Sequence, residues 1–207
     1  MNDLTNCEEK IIHSAKQVFI EKGFEKGKMK DIADRAGISR TNLNYYFRTK
    51  KNLFYSIVEQ IFESLIPRFE NVLHKQNQPT LERFEELVDV YTGFLSANSD
   101  IPFFVISEIN RNPKLLVEFI KESEKINSYL DVLKNMLNSS LKPNQANYFM
   151  QMPLEEVLTI VYGLLFMPHI IAPMVNELYE GDEKRIADYY SHHNANIKFI
   201  IRKLLTD

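Results

Sequence analysis

Arg40, Thr41, Asn44 and Tyr45 are the residues of this chain whose types and spacing best suit chemistry on a polar partner. Arginine binds phosphate or guanine, asparagine pairs bidentately with adenine, and Thr and Tyr hydroxyls serve either. Leu43 and Phe47, four residues apart, are apolar; they pin the segment to a core and turn the polar set outward. Upstream, Ile32 and Ala33 mark a first short helix, and Gly37 can take the left-handed conformation that ends it. Ile38 fills the corner and Ser39 caps a second helix. Met29 to Phe47 therefore reads as a helix-turn-helix whose second helix suits a DNA major groove. Arg48, Lys50 and Lys51 follow at once and place cations where phosphates would lie. A plain helical hairpin with a polar surface would need none of them.

Residues suited to catalysis are sparse. His169, His192, His193 and the pair Glu155-Glu156 are the candidates, but adjacent residues point about 100° apart on a helix and share no site. No His-x-x-x-His, paired cysteines, Gly-rich phosphate loop or nucleophile elbow is present. The expectation is a protein that is not an enzyme and uses no cofactor or metal.

The formal charge of −3 conceals a division. Residues 1–55 carry 11 Lys and Arg against 7 Asp and Glu, whereas the rest carries 14 against 21. A basic head on an acidic body turns the head toward nucleic acid. The single cysteine, Cys7, excludes an intramolecular disulfide and fits a reducing compartment. The polar N-terminus shows no signal peptide, so a cytoplasmic location is expected. Val157 to Val175 approaches membrane length but holds Gly163, Pro168, His169 and Pro173, which favours a buried helix and no membrane partner.

The elements that position these residues are all helical. A first helix, Cys7 to Lys22, carries Ile12 and Phe19 and stops at Gly23. With the helix-turn-helix it makes a three-helix head cored by Ile12, Phe19, Phe24, Ile32, Leu43 and Phe47. A long helix from about Lys50 to Leu73, with Pro67 inside it as an expected kink, joins the head to a helical body. A further helix opens at Pro79 and Thr80 and breaks at Asn98-Ser99-Asp100; others run over Pro102–Asn110, Lys114–Ser140, about Leu154–Asn176 and beyond the Gly181-Asp182 separator, with 141–153 a polar loop. The fold class is all-α, with about nine helices. The expected domains are a DNA-binding head over 1–51 and a body for ligand binding and dimerisation over 52–207.

Phe19, Gly23 and Phe24, then Asp31, Ile32, Ala33, Ala36, Gly37, Ile38 and Ser39, then Leu43, Tyr45, Phe47, Lys50 and Leu53 resemble the DNA-binding domain of TetR-type (tetracycline-repressor-like) bacterial transcriptional regulators. The resemblance covers roughly the first 55 residues. Gly27 and Lys28 stand where the family usually has threonines, Asn44 replaces its first tyrosine, and Tyr46 its histidine. Carried onto this chain, the resemblance implies DNA contacts from Lys28, Ser39, Arg40, Thr41, Asn42, Asn44, Tyr45, Tyr46, Arg48 and Lys50. It also implies a body whose last two helices pair with a second subunit and which encloses a ligand pocket.

For the pocket, the aromatic and flexible residues Tyr91, Phe103, Phe104, Phe119, Tyr129, Met136, Tyr162 and Phe166 are candidates, with Glu108 and Arg111 as polar anchors. For the dimer, the apolar run Val157, Val161, Leu164 and Leu165 and the stripe Tyr190, His193, Ile197 and Ile200 are expected to meet a partner copy. The resulting expectation is a homodimer on a palindromic double-stranded operator, a repressor released by an unknown small, largely apolar effector. The alternative is a DNA-binding or architectural protein whose body is only a dimerisation scaffold.

Overall fold

Apolar residues recur at three- and four-residue intervals along most of the chain, and no stretch alternates as a half-buried strand would. The computed structural model describes residues 2–75, 77–139 and 152–206, which form helices and short connections. Eleven helices occur among them: α1 Asn2–Lys26, α2 Met29–Ala36, α3 Arg40–Tyr46, α4 Lys50–Leu73, α5 Thr80–Ala97, α6 Ile101–Arg111, α7 Pro113–Glu122, α8 Glu124–Ser139, α9 Leu154–Ile170, α10 Ala172–Leu178 and α11 Glu183–Thr206. The all-α architecture is as the periodicity predicts.

Two expected helices are each split. Ser123 adopts extended backbone (φ −87°, ψ 104°) and separates α7 from α8. Neither Gly nor Pro marks that break. Ile171 separates α9 from α10, two residues before Pro173. A proline there has no N–H to return to His169, so the ladder is weakest one turn earlier. The polar loop expected over 141–153 lies outside the described residues except at its last two positions. α4 runs through Pro67 as one helix.

Packing groups the chain into two compact units, Met1–Ser64 with Phe103–Glu124, and Leu65–Pro102 with Lys125–Asp207. The sequence boundary at 51/52 separates roles. The packing line instead falls within α4 and assigns most of α6 and all of α7 to the first unit.

In the first unit, Ile11, Ala15, Phe19, Ile32, Leu43, Leu53 and Phe54 are completely buried. Truncating one of them, such as Leu43 to Ala, costs about 2–5 kcal/mol by lost transfer energy and a cavity. Phe24 is half-buried, its ring 5.3 Å from Phe54 and 5.6 Å from Phe19. Gly23 has φ 76° and ψ 161°, a conformation open only to glycine, and α1 resumes for one further turn beyond it. A Cβ at Gly23 would stand 2.9 Å from Arg111 Cδ, so the side chain is excluded twice over.

In the second unit, α5, α9 and α11 pack on one another. Leu87, Val88, Leu95, Val157, Leu165, Ile197 and Ile201 are buried there. Asp89 accepts from Asn194 Nδ2 at 2.9 Å and from Lys198 Nζ at 2.6 Å, which ties α5 to α11 across the edge of that core. No single helix among the described residues is long and apolar enough to cross a membrane; the α9–α10 pair reaches that length only with a 51° bend.

Candidate nucleic-acid interface

α2 and α3 are set by local chemistry. Asp31 Oδ2 accepts the Lys28 N–H at 3.4 Å, and Gly37 closes α2 in the left-handed conformation (φ 68°, ψ 33°). Ile38 N–H returns to Ala33 O at 3.1 Å. Ser39, extended at φ −70° and ψ 151°, caps α3 by accepting the Asn42 N–H on Oγ at 3.1 Å. Leu43 and Phe47 turn inward, as their spacing requires. A cap that the sequence reading missed is Thr49, whose Oγ1 accepts Asn52 N–H at 3.0 Å and starts α4. Its signal is a threonine directly ahead of an apolar helical run.

The opposite face of α3 is open. Ser39, Arg40, Thr41, Asn42 and Asn44 are exposed, and Tyr45 is exposed to 79%. Arg48 is exposed just beyond the helix, and Lys28 at the start of α2. Tyr46 is half-buried, and the Cys7 side chain beside it, with partial burial, holds its hydroxyl above the usual phenol pKa. Its ring also meets that of the exposed Tyr45, with centroids 5.6 Å apart.

Several other cations of this unit are engaged. Lys22 pairs with Asp31 at 2.9 Å and Arg35 forms a two-point pair with Glu21 at 2.8 and 2.9 Å. Lys51 pairs with Glu118 at 3.1 Å and lies over the Tyr55 ring. Lys50 departs most from expectation. Its Nζ donates to Phe24 O at 2.6 Å, Glu25 O at 3.0 Å and Gly27 O at 3.1 Å, and lies 4.5 Å from the centre of the Phe24 ring. A phosphate contact would have to displace three carbonyl partners, so the expectation for Lys50 is corrected: it fastens the α1–α2 corner.

The residues expected to line a ligand pocket fall into separate groups. Tyr91, Tyr162 and Phe166 come together in the second unit with ring centroids 5.7–5.9 Å apart. Phe69, missed from sequence, stacks on both Tyr91 and Tyr129 at 5.8 and 5.3 Å and completes this cluster. Burial pushes the Tyr91, Tyr129 and Tyr162 hydroxyls above the ordinary tyrosine pKa. Phe104 and Phe119 instead pack in the first unit on Phe54 and Tyr55, and Phe103 is half exposed. Glu108 and Arg111 also belong to the first unit and bond to the backbone of α1, not to a cavity. The Met136 side chain lies outside the described residues.

The expected dimer residues divide likewise. Val157, Leu165 and Ile197 are 6%, 5% and 1% exposed within one chain, so they join its own helices and are corrected as contact residues. Val161, Leu164, Tyr190 and His193 are half-buried, the last two bonded to Pro168 O and Leu164 O. Ile200 is exposed, in company with Ile160, Met167, Met174, Leu178 and Phe199. Periodicity alone shows which residues share a face but not which neighbour covers it.

A head with this helix-turn-helix has the fold and the open polar helix face that DNA-binding regulators use. Residues 11–57 match the profile of the family described as bacterial regulatory proteins, tetR family. The chain is similar along nearly its whole length to the Bacillus subtilis protein named Probable HTH-type transcriptional regulator YttP, 23% identical over 96% of this chain and 94% of that one. Among solved structures it resembles the fatty acid degradation regulator FadR of Bacillus halodurans (TM-score 0.65, 17% identity, 97% and 95% of the two chains). It also resembles FadR of Bacillus subtilis solved in complex with stearoyl-CoA (TM-score 0.62, 15% identity, 91% and 96%). These likenesses support a TetR-type transcriptional regulator, the family match itself covering residues 11–57. The matched relatives are regulators of transcription, not enzymes.

Proposed function

We propose that the protein binds a palindromic operator as a homodimer in the cytoplasm, represses from it, and is released by a small, largely apolar effector. The exposed polar face of α3 supports the DNA half of this reading. Thr41, Asn44 and Tyr45 address base edges or their flanking phosphates, while Arg40, Arg48 and Lys28 address the backbone. One such helix offers too little surface for useful specificity, so two heads read half-sites roughly 34 Å apart or a multiple of it. Exposed apolar side chains on α9, α10 and α11, among them Ile160, Met167, Met174, Leu178 and Phe199, offer surface for the second copy.

The five-ring cluster of Phe69, Tyr91, Tyr129, Tyr162 and Phe166 carries the effector half. Aromatic walls take an apolar chain, and three tyrosine hydroxyls offer hydrogen bonds to a polar group on it. The fatty-acid regulators that share the fold, one of them holding stearoyl-CoA, support a long-chain acyl compound as the effector class. The test is operator affinity with and without a long-chain acyl-CoA. Coupling of 1–3 kcal/mol changes that affinity about 5–150-fold, and operator DNA weakens acyl-CoA binding by the same factor. Acyl-CoA binding unchanged by operator would end the release mechanism. No binding of acyl-CoA or free fatty acid would leave the body a dimerisation scaffold.

A further inference from the structure

Polar side chains near the α6–α7 corner converge on the C-terminal end of α1, all within the first unit. Arg111 Nη1 donates to Phe19 O and Ile20 O at 3.2 and 3.3 Å. Asn112 Nδ2 donates to Glu25 Oε1 at 3.1 Å. Beside them Glu108 is wholly buried, and its Oε1 accepts the Phe24 N–H at 3.2 Å. Its second oxygen, Oε2, is buried with no hydrogen-bond partner. The charged groups around it are Arg111 on its own helix, Lys50 from α4 and Glu25 from α1. Glu108 thus supplies an acceptor for the Phe24 N–H while its second oxygen stays stranded, which costs stability.

Phe24 is the point on which this arrangement turns. Its N–H is held by Glu108, its carbonyl by Lys50, and its ring by Phe19 and Phe54. It directly follows Gly23, whose backbone only glycine adopts, and four residues later Lys28 opens α2. The setting of this one peptide fixes how the chain enters the helix-turn-helix.

We propose that Glu108 is a proton-linked positioning residue for the DNA-reading helices, latching the Phe24 amide and closing more firmly when its carboxyl takes up a proton. The inference rests on the reading of the α3 face as a DNA interface. Its sign follows from linkage. Burial opposes the ionised form and lifts the Glu108 pKa above its usual value, against the pull of the Phe24 N–H, Arg111 and Lys50; Glu25 adds to the rise. If the latch opens to water, the pKa falls back to the ordinary carboxylate value. The closed latch therefore binds the proton more tightly, and its stabilisation is fully present at acid pH and lost as pH rises through the raised pKa. Once ionised, a half-satisfied carboxylate leaves the corner easier to open.

The test is amide hydrogen exchange at Phe24, corrected for intrinsic rate, from about pH 5 to about pH 8 in the full-length protein. Wild-type protection should fall at least about threefold across that range. Glu108→Gln, an uncharged isostere that keeps the acceptor, should be more protected at neutral pH and show no such fall. Glu108→Leu, with no acceptor, should lose protection at every pH, and if it fails to fold the Gln variant still decides. On a duplex selected from a random pool by the wild type, Glu108→Gln should bind about threefold more tightly at neutral pH and converge with the wild type in acid. Comparing the two cancels the exposed His13, which both carry. A Glu108→Gln profile that follows the wild type overturns the latch. Failure to select any duplex would instead overturn the DNA reading, with the exchange profile still deciding the latch.

Discussion

The Lys50 ammonium donates to the Phe24 carbonyl at 2.6 Å and sits over the same residue's ring, so one cation grips a single residue by backbone and side chain together. Two more carbonyls, of Glu25 and Gly27, complete its shell at the end of α1, where unpaired carbonyls and the helix dipole favour positive charge. Replacing Lys50 by Met should cost the head about 1.5–3 kcal/mol, the range for hydrogen bonds to a charged group. Denaturant unfolding measures this. The slope of operator affinity against salt should stay as in the wild type; a drop of about one unit would return Lys50 to the phosphate backbone.

Two exposed ion pairs predict how the head responds to acid. Hydrogen bonds from Arg35 and Lys22 hold the Glu21 and Asp31 carboxyls below their ordinary pKa values. Carboxylates depressed in the folded state give stability that is present above their unfolded pKa, about 4, and lost as pH falls through the folded value. The double variant Glu21→Gln and Asp31→Asn should flatten the acid limb of the stability profile below about pH 4 and leave neutral pH nearly untouched, since surface pairs contribute little there. The contribution of Glu108 runs the opposite way, so its Gln variant should leave this limb in place.

The dimer face can be told from the core by charge. Phe199 is 61% exposed and Met167 56%, whereas Ile197 on the same helix as Phe199 is 1% exposed. Phe199→Glu should yield a folded monomer by sedimentation, with operator affinity reduced. Ile197→Glu should lose several kcal/mol of stability, because it buries an unpaired charge in the unit's own core. A Phe199→Glu protein that stays dimeric would remove this face from the interface.

What the sequence showed depended on the range of the interaction. Gly37 and Ser39 act on neighbours within four residues, Leu43 and Phe47 share one face at four-residue spacing, and each stands where its type predicts. Lys50 and Glu108 bond to backbone groups 23 to 84 residues away, and no side-chain pattern records a carbonyl or an amide as the partner. Their charge was legible and their role was not. The aromatic set failed differently: helical spacing identified the rings, but only packing parts Phe104 and Phe119 from Tyr91, Tyr162 and Phe166. The break at Ser123 carries no Gly or Pro, which is why α7 and α8 read as one helix.

The most direct test of the account is the affinity of the protein for a selected duplex against a scrambled one at fixed salt, with Asn44→Ala and Arg48→Ala beside the wild type. The wild type should prefer the selected duplex by about 10³-fold or more. Arg48→Ala should weaken both duplexes alike and lower the salt slope by about one unit, while Asn44→Ala should lose about 1–3 kcal/mol of discrimination at one base step. Equal affinity of the wild type for both duplexes, or binding indifferent to both substitutions, would contradict the assignment of the α3 face as the reader of DNA.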